Sequence, residues 1–435
     1  MRTLDRIPTG KIERASKLVS TGVKLGGNYI KYIGDKIIDP ENARENLDQE
    51  NAKDIYDGLK TLKGSALKVA QMLSMEKNLL PSAYVDRFSL SQFSVPPLSG
   101  PLVRKTFKKY FGKYPEDIFD TFAPESVNAA SIGQVHLASK NNQKLAVKIQ
   151  YPGVANSIGS DLALVKPVAS RMFNLKGQDT EKFFKEIEGK LLEETNYTLE
   201  LAQSEAIREQ CAGIPNLLFP NYYAAYSCEK ILTMDWMEGI HLSEYTKDNT
   251  DQEKNNRLGQ TLWDFYMYQM HVLRSVHADP HPGNFLITDQ AELVAIDFGC
   301  IKEIPEEFYV PYFELSDAKA INDIEFFTQK ITELEILRED DSPDARKYIV
   351  ALFHDMLSIF TFPFHGETFD FSDPVFWNKI ASISDRLAND DYLRKLNGNR
   401  GSRHFLYINR TFFGLYNLMH DLKAAIVVDN YKRYI

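Results

Sequence analysis

The sequence predicts an α+β fold of two lobes preceded by a helical extension, on three observations. Apolar residues recur at helical spacing near the N-terminus, over about 157–210 and through most of the chain after Glu253. Strand-like runs cluster in two short stretches, about 127–150 and 216–236. A length of 435 residues suits two lobes and an extension.

Composition narrows the function classes. Hydrophobic residues make up 43% and charged residues 26%, so disordered and fibrous classes are excluded. Lys and Arg total 51 against 60 Asp and Glu, a net charge of −9, and bulk attraction to nucleic acid is not expected. No apolar run approaches transmembrane length, and the basic start lacks the apolar core of a secretory signal. Cys211, Cys228 and Cys300 are too widely spaced for a zinc set and suit a reducing, cytoplasmic setting.

Four segments follow in order. Residues 1–47 carry a basic amphipathic pattern, with Ile12, Val19, Val23, Ile30, Ile33 and Ile37 on one helical face. Residues 48–100 continue as helix, striped by Leu59, Leu62, Ala66, Val69 and Leu73, and close in the proline-rich linker Ser94–Pro101. Residues 101–237 form the strand-bearing lobe: Val127–Ser139 and Lys144–Gln150 read as strands, turning at Asn141-Asn142. Residues 238–435 form a helical lobe interrupted by the compact block His277–Cys300.

The residues that carry chemistry match the few parts phosphoryl transfer needs: backbone over the phosphates, a lysine to neutralise them, a carboxylate for the lysine, and metal ligands. The loop from Asn128 to Val135, with Ala129, Ala130, Ser131 and Gly133, has side chains small enough for its N–H groups to approach oxyanions. Lys148 is centred in the apolar strand Ala146–Ile149 and must meet an anion or snorkel. Glu194, on the following helix, is the expected partner. Asp279 and Asn284 are spaced as in a D-x-x-x-x-N loop, and Asp297 opens a DFG at the end of the strand Leu293–Ile296. Asp279 would accept a hydrogen bond from the attacking hydroxyl or water, and Asn284 with Asp297 would hold Mg²⁺. A rival reading makes His277, Asp279 and His281 a transition-metal set, but Pro280 and Pro282 oppose a paired strand there, and His281 is expected to brace the loop. The main chain of Asp235 and Met237 is the candidate for adenine recognition. His277-Ala278-Asp279 lacks the arginine of an ordinary kinase loop, and no APE or early Ser/Thr follows Gly299, so a protein-substrate platform is not expected. The constellation is kinase-like and calls for Mg·ATP.

These runs resemble the UbiB/ADCK (aarF-domain) family of atypical kinase-like proteins: Lys68–Ser74, Ala129–Ala138, Ala146–Ile158, Glu194–Glu200, Asp279–Phe285 and Ile296–Gly299. The resemblance implies a bilobal protein-kinase-like fold with an N-terminal helical extension folded over the active site. It also implies an ATP-dependent role in ubiquinone or isoprenoid lipid synthesis. By the same resemblance, Ala129 and Ala130 belong to an alanine-rich loop replacing a glycine-rich one. Lys68 and Gln71 correspond to the family's K-x-G-Q helix, Lys148 and Glu194 to its ion pair, and Glu200 to a second acidic position. Two departures stand out: Ala70 for the motif's glycine, and Asn196 for an aspartate.

The basic N-terminal segment suits either an anionic membrane surface or packing on the body of the protein. The C-terminal run Ala425–Ile435 is not an expected anchor. The expected partners are therefore a lipid or quinone-precursor ligand, a cytoplasmic membrane face and quinone-biosynthesis enzymes, with no nucleic acid. Three functions remain open: an ATPase-like atypical kinase, a small-molecule phosphotransferase, and a nucleotide-sensing scaffold.

Overall fold

A computed structural model of the protein describes residues 24, 27–28, 31–32, 43–62, 98–129, 132–172, 178–248, 250–388, 390, 392, 396 and 400–435. Lys68, Gln71, Ala130 and Ser131 lie outside these residues, as does the side chain of Ala129. The chain forms two compact units, one of residues up to 202 with 221–236, the other of 203–220 with 237–435. The second unit thus takes 203–220 from the segment that sequence assigned to the strand-bearing lobe. Its packing explains why: Ile207, Cys211, Ile214 and Leu217 join the core of the second unit.

In the first unit, Lys24, Gly27, Asn28, Lys31 and Tyr32 are helical, and Asn28 Nδ2 donates to Asn51 and Asp54 on α1 (Ala43–Leu62) at 3.2 and 2.9 Å. Lys24 lies 3.8 Å from Asp54 and Lys31 contacts Glu50, so two of the basic N-terminal residues meet acids within the chain. Both lysines are exposed, so such pairs contribute little stability.

After α2 (Gly100–Phe111) come β1 (Thr121–Ala129), β2 (Gly133–Lys140) and β3 (Gln143–Gln150). The β2–β3 turn is Asn141-Asn142, as the sequence predicts, with φ of 51° and 64°. Two left-handed residues match the strand twist in a two-residue hairpin, and asparagine tolerates that conformation. Three helices follow, α3 (Val154–Met172), α4 (Gln178–Glu194) and α5 (Tyr197–Cys211), then β4 (Leu217–Leu218) and β5 (Ile231–Asp235). The first-unit sheet runs β1-β2-β3-β5 and is antiparallel throughout.

Alternation along β3 sorts its side chains. Leu145, Val147 and Ile149 enter a core with Phe107, Ile158, Phe184 and Leu191, whereas Ala146 packs with Tyr197, Tyr222, Leu232 and Met234. The linker ends inside this unit: Leu98 N–H donates to Gln134 Oε1 at 2.6 Å, and Gln134 Nε2 meets His136 Nε2 at 2.7 Å. Burial holds His136 below the usual imidazole range, and its Nδ1 reaches the Ala123 carbonyl at 2.9 Å.

The second unit adds β6 (Ile240–His241), α6 (Gln252–Tyr268), β7 (Ser275–His277), β8 (Phe285–Ile287), β9 (Leu293–Ala295) and β10 (Ile301–Glu303). Helices α7 (Glu306–Glu314), α8 (Ile324–Glu333) and α9 (Pro343–Phe360) follow. After β11 (Thr368–Asp370) come α10 (Pro374–Ala388), α11 (Arg403–Asp421) and β12 (Ala425–Val427). A small sheet in the order β4-β9-β8-β6 and the pair β10-β7 support the loop block, and a large aromatic core fills the helical part. Helix α6 continues into a π-helical turn, Gln269–Leu273, ended by Arg274 at φ 51°. His271 on this turn is buried, bonds the Tyr309 hydroxyl at 2.6 Å, and is pushed by burial down to about 4. No described helix is long and apolar enough to cross a membrane.

Candidate functional site

Each unit assembles one group of the expected residues. In the first unit, register sets Lys148 opposite Val135 on β2 and Leu232 on β5, on the face lined by Ala146 and Tyr197. An ammonium there is largely cut off from water, with Lys148 only 8% exposed. Glu200, 4% exposed, accepts from it at 2.6 Å, and the Tyr197 ring lies 5.2 Å from the charge. The sequence expectation gave this pairing to Glu194. That residue closes α4 and is half-buried, whereas Glu200 sits in the first turn of α5.

The start of α5 is fastened to the sheet. Gln150 Nε2 and Lys230 Nζ both donate to the Thr195 carbonyl, at 3.0 and 2.7 Å, and Tyr197 N–H donates to the Glu229 carbonyl. Asn196, where the family pattern has aspartate, caps the helix: its Oδ1 accepts from the N–H groups of Thr198 and Leu199, each at 3.2 Å. These contacts carry Glu200 to Lys148.

Gly133 opens β2 beside the small-residue loop. A Cβ there would lie 2.7 Å from both the Ile149 carbonyl oxygen and the Tyr197 hydroxyl, so only glycine admits this approach. Asp235 ends β5, where its carboxylate accepts from Gln143 at 2.5 Å, the Tyr223 hydroxyl at 2.6 Å and Asn221 Nδ2 at 2.7 Å. Its side chain thus holds the local fold, and any adenine contact would fall to main chain. Met237 begins the adjoining stretch of the second unit, without regular structure.

In the second unit the loop block is built from short-range bonds. His277 N–H donates to Gln269 Oε1 at 2.8 Å, and Ala278 N–H to the Cys300 carbonyl at 2.8 Å. The Asp279 carbonyl accepts from His281 N–H at 2.8 Å and from Asn284 Nδ2 at 2.9 Å. His281 Nδ1 accepts from Gly283 N–H at 3.0 Å, which is the expected bracing role. The hairpin pairs Phe285 with Ala295, and Ile296 N–H donates to the Asn284 carbonyl at 3.0 Å, so Asn284 and Asp297 extend from adjacent strand ends. With Asn284 Nδ2 committed to a carbonyl, its amide oxygen is the atom left for a cation. Amide oxygen, carboxylate and water make a donor set suited to Mg²⁺, and these residues fit it.

Asp279 Oδ1 lies 3.6 Å from Arg410 Nη2 on α11. The wholly buried Tyr266 phenol is held well above its ordinary range by burial, with Asp279 and Cys300 adding to the effect. The transition-metal reading is not supported by this geometry. His277 is buried against Phe298, at 5.6 Å between rings, and no group of three His, Cys, Asp or Glu able to hold a metal occurs among the described residues. Cys300 is followed at once by β10, which pairs Ile301 with His277, and α7 begins at Glu306. This leaves no long activation segment, in line with the missing APE.

Sequence reasoning did not find Gln269 or Arg410. Gln269 looks like any helix residue until the π turn aims it at His277. Arg410 lies far along the chain from Asp279 and has no local pattern to mark it.

The architecture and loop chemistry define a kinase-like domain of the nucleotide-binding class. Residues 90–330 match the ABC1 atypical kinase-like domain, and the chain belongs to that family, also known as UbiB/ADCK. An uncharacterised aarF domain-containing protein kinase from Arabidopsis thaliana chloroplasts is 28% identical over 355 residues, covering 77% of this chain and 48% of the relative. Mitochondrial atypical kinase COQ8B from Danio rerio is 25% identical over 392 residues, covering 87% of this chain and 62% of its own. Probable serine/threonine-protein kinase abkB from Dictyostelium discoideum is 28% identical over 341 residues, covering 73% and 50%. The chain thus spans about half the length of several curated relatives it matches. Mycobacterium tuberculosis Rv3197, solved with erythromycin, superposes with a TM-score of 0.62 at 22% identity, covering 91% of this chain and 97% of that one, a likeness of fold.

Proposed function

We propose that this protein is an atypical kinase-like ATPase or phosphotransferase that binds Mg·ATP and supports ubiquinone or isoprenoid lipid synthesis at a membrane surface. The observation that carries the reading is the hairpin register that sets Asn284 and Asp297 at neighbouring strand ends, with the Asn284 amide nitrogen already engaged. In this reading Asn284 and Asp297 hold Mg²⁺, Lys148 with Glu200 supplies charge for the phosphates, and Asp279 orients the nucleophile. When bound, the cation neutralises charge on the phosphate oxygens. By the motif resemblance, Ala129, Ala130, Ser131 and Gly133 serve the phosphates, and the main chain of Asp235 and Met237 takes the adenine. By the same resemblance, Lys68 and Gln71 take the regulatory role of excluding protein substrates.

The brevity of the chain between Asp297 and α7 favours a small or lipid-borne acceptor, or water, over a protein. The link to quinone synthesis draws on the motif resemblance, and a membrane site suits such acceptors. The deciding experiment measures ATP turnover by the purified chain with vesicles containing anionic lipid and a phenolic quinone precursor. Asp297→Asn should lower turnover roughly 100-fold or more, the several kcal/mol a lost metal ligand costs. Wild-type protein that binds no nucleotide, or an Asp297→Asn variant as active as wild type, would sink the proposal.

A further inference from the structure

The structure assigns Arg410, on the late helix α11, as a positioning residue for the Asp279 carboxylate. This inference rests on the functional reading above, in which Asp279 orients the nucleophile.

Three observations lead to it. The main chain of Asp279 is fixed by bonds from His281 N–H and Asn284 Nδ2 to its carbonyl, but these leave the direction of the side chain undetermined. The preceding residue is Ala278, wholly buried, so the charged side chain an ordinary loop carries there has neither a residue nor room. A guanidinium comes instead from α11, where Arg410 Nη2 lies 3.6 Å from Asp279 Oδ1, both side chains mostly buried at 18% and 20% exposure.

The same helix face also grips the loop sterically. Gly414 lies one turn beyond Arg410, on the same face, and a Cβ there would collide with the Pro280 ring and sit 3.2 Å from its carbonyl oxygen. Helix α11 therefore presses its backbone against Pro280 while its charge reaches Asp279. The loop is held from outside its own segment, by close packing at one residue and by charge at the residue before it. A carboxylate so held keeps one orientation and needs less rearrangement when a nucleophile hydrogen-bonds to it. A lysine at this position keeps a cation on a side chain of similar reach, so it should keep much of the effect of the charge.

A double-mutant cycle tests this on the full chain. Arg410→Met should lower kcat for ATP turnover by roughly 10-fold or more, with KM for ATP changed less than about threefold. Arg410→Lys should recover most of the loss. In an Asp279→Asn background, Arg410→Met should cost less than about threefold, because it acts through the carboxylate already removed. An equal loss in both backgrounds, or no recovery with lysine, would overturn the assignment. Urea unfolding of the same four proteins reads the pairing without nucleotide: losses from the two single changes that fail to add support it, and strictly additive losses refute it. Wild-type protein without turnover would count against the proposed function, and the unfolding cycle would still decide the role of Arg410.

Discussion

The lysine pocket of the first unit and the acidic loop of the second solve the same problem, holding charge where water is scarce, in opposite ways. Lys148 meets a carboxylate delivered by another element, and Glu200 is brought there by Gln150, Lys230 and the Glu229 carbonyl, which fasten the start of α5. The Asp279–Asp297 block takes its main-chain shape from bonds between residues a few positions apart or across one tight hairpin, and α11 adds an outside hold only at Asp279 and Pro280. A pocket of the first kind fails as a unit when one partner is lost. A loop of the second kind keeps its shape and loses only the function of the altered side chain.

The largest expected effect tests that contrast. Glu200→Gln removes the carboxylate 2.6 Å from the buried Lys148 ammonium and should destabilise the protein by roughly 3–5 kcal/mol in urea unfolding. Asp297→Asn should change stability by less than about 1 kcal/mol, since it alters a partly exposed residue. Pairing Glu200→Gln with Lys148→Met should recover much of the loss, and comparable losses at Glu200 and Asp297 would erase the distinction between the two regions.

The next effect compares how the units respond to acid. His271 in the second unit is held near 4 by burial, so the folded state resists the proton that the unfolded chain takes up near pH 6.5. The sign follows from that: its contribution is complete above about pH 6.5 and fades as pH falls toward 4. The loss should amount to about 3 kcal/mol across that window, and His271→Gln should flatten the pH dependence of unfolding. His136 in the first unit is shifted the same way and adds to the decline. A stability profile unchanged by His271→Gln between pH 6.5 and 4 would contradict this.

The smallest effect lies at the fastening itself. Asn196→Ala removes the cap of α5 and should cost about 1 kcal/mol in urea unfolding. Asn196→Asp, which restores the family's residue, should retain the cap, so a matching loss in both variants would argue against capping as the reason for asparagine.

Much of the second region was legible in the sequence. The D-x-x-x-x-N spacing, the apolar runs Phe285–Ile287 and Leu293–Ala295, and the DFG imply a hairpin with Asn284 and Asp297 at its ends. The Asn141-Asn142 turn was legible for the same reason, a local conformation that few residues accept. The contact of Glu200 with Lys148 was not, because helical spacing places several glutamates near one another and says nothing about how a helix start is pinned to a sheet. Nor was the transfer of residues 203–220 to the second unit, which follows from the pairing of β4 with β9.

By itself, the sequence determined what depends on neighbours in the chain: the strand that carries Lys148, the hairpin that carries Asn284 and Asp297, and the absence of an activation segment. Tertiary structure alone decided which distant charge meets each buried one, Glu200 for Lys148 and Arg410 for Asp279. Burial makes an ionised group seek a partner, but the partner's identity depends on which element packing brings within reach, and that distance is not written in residue spacing.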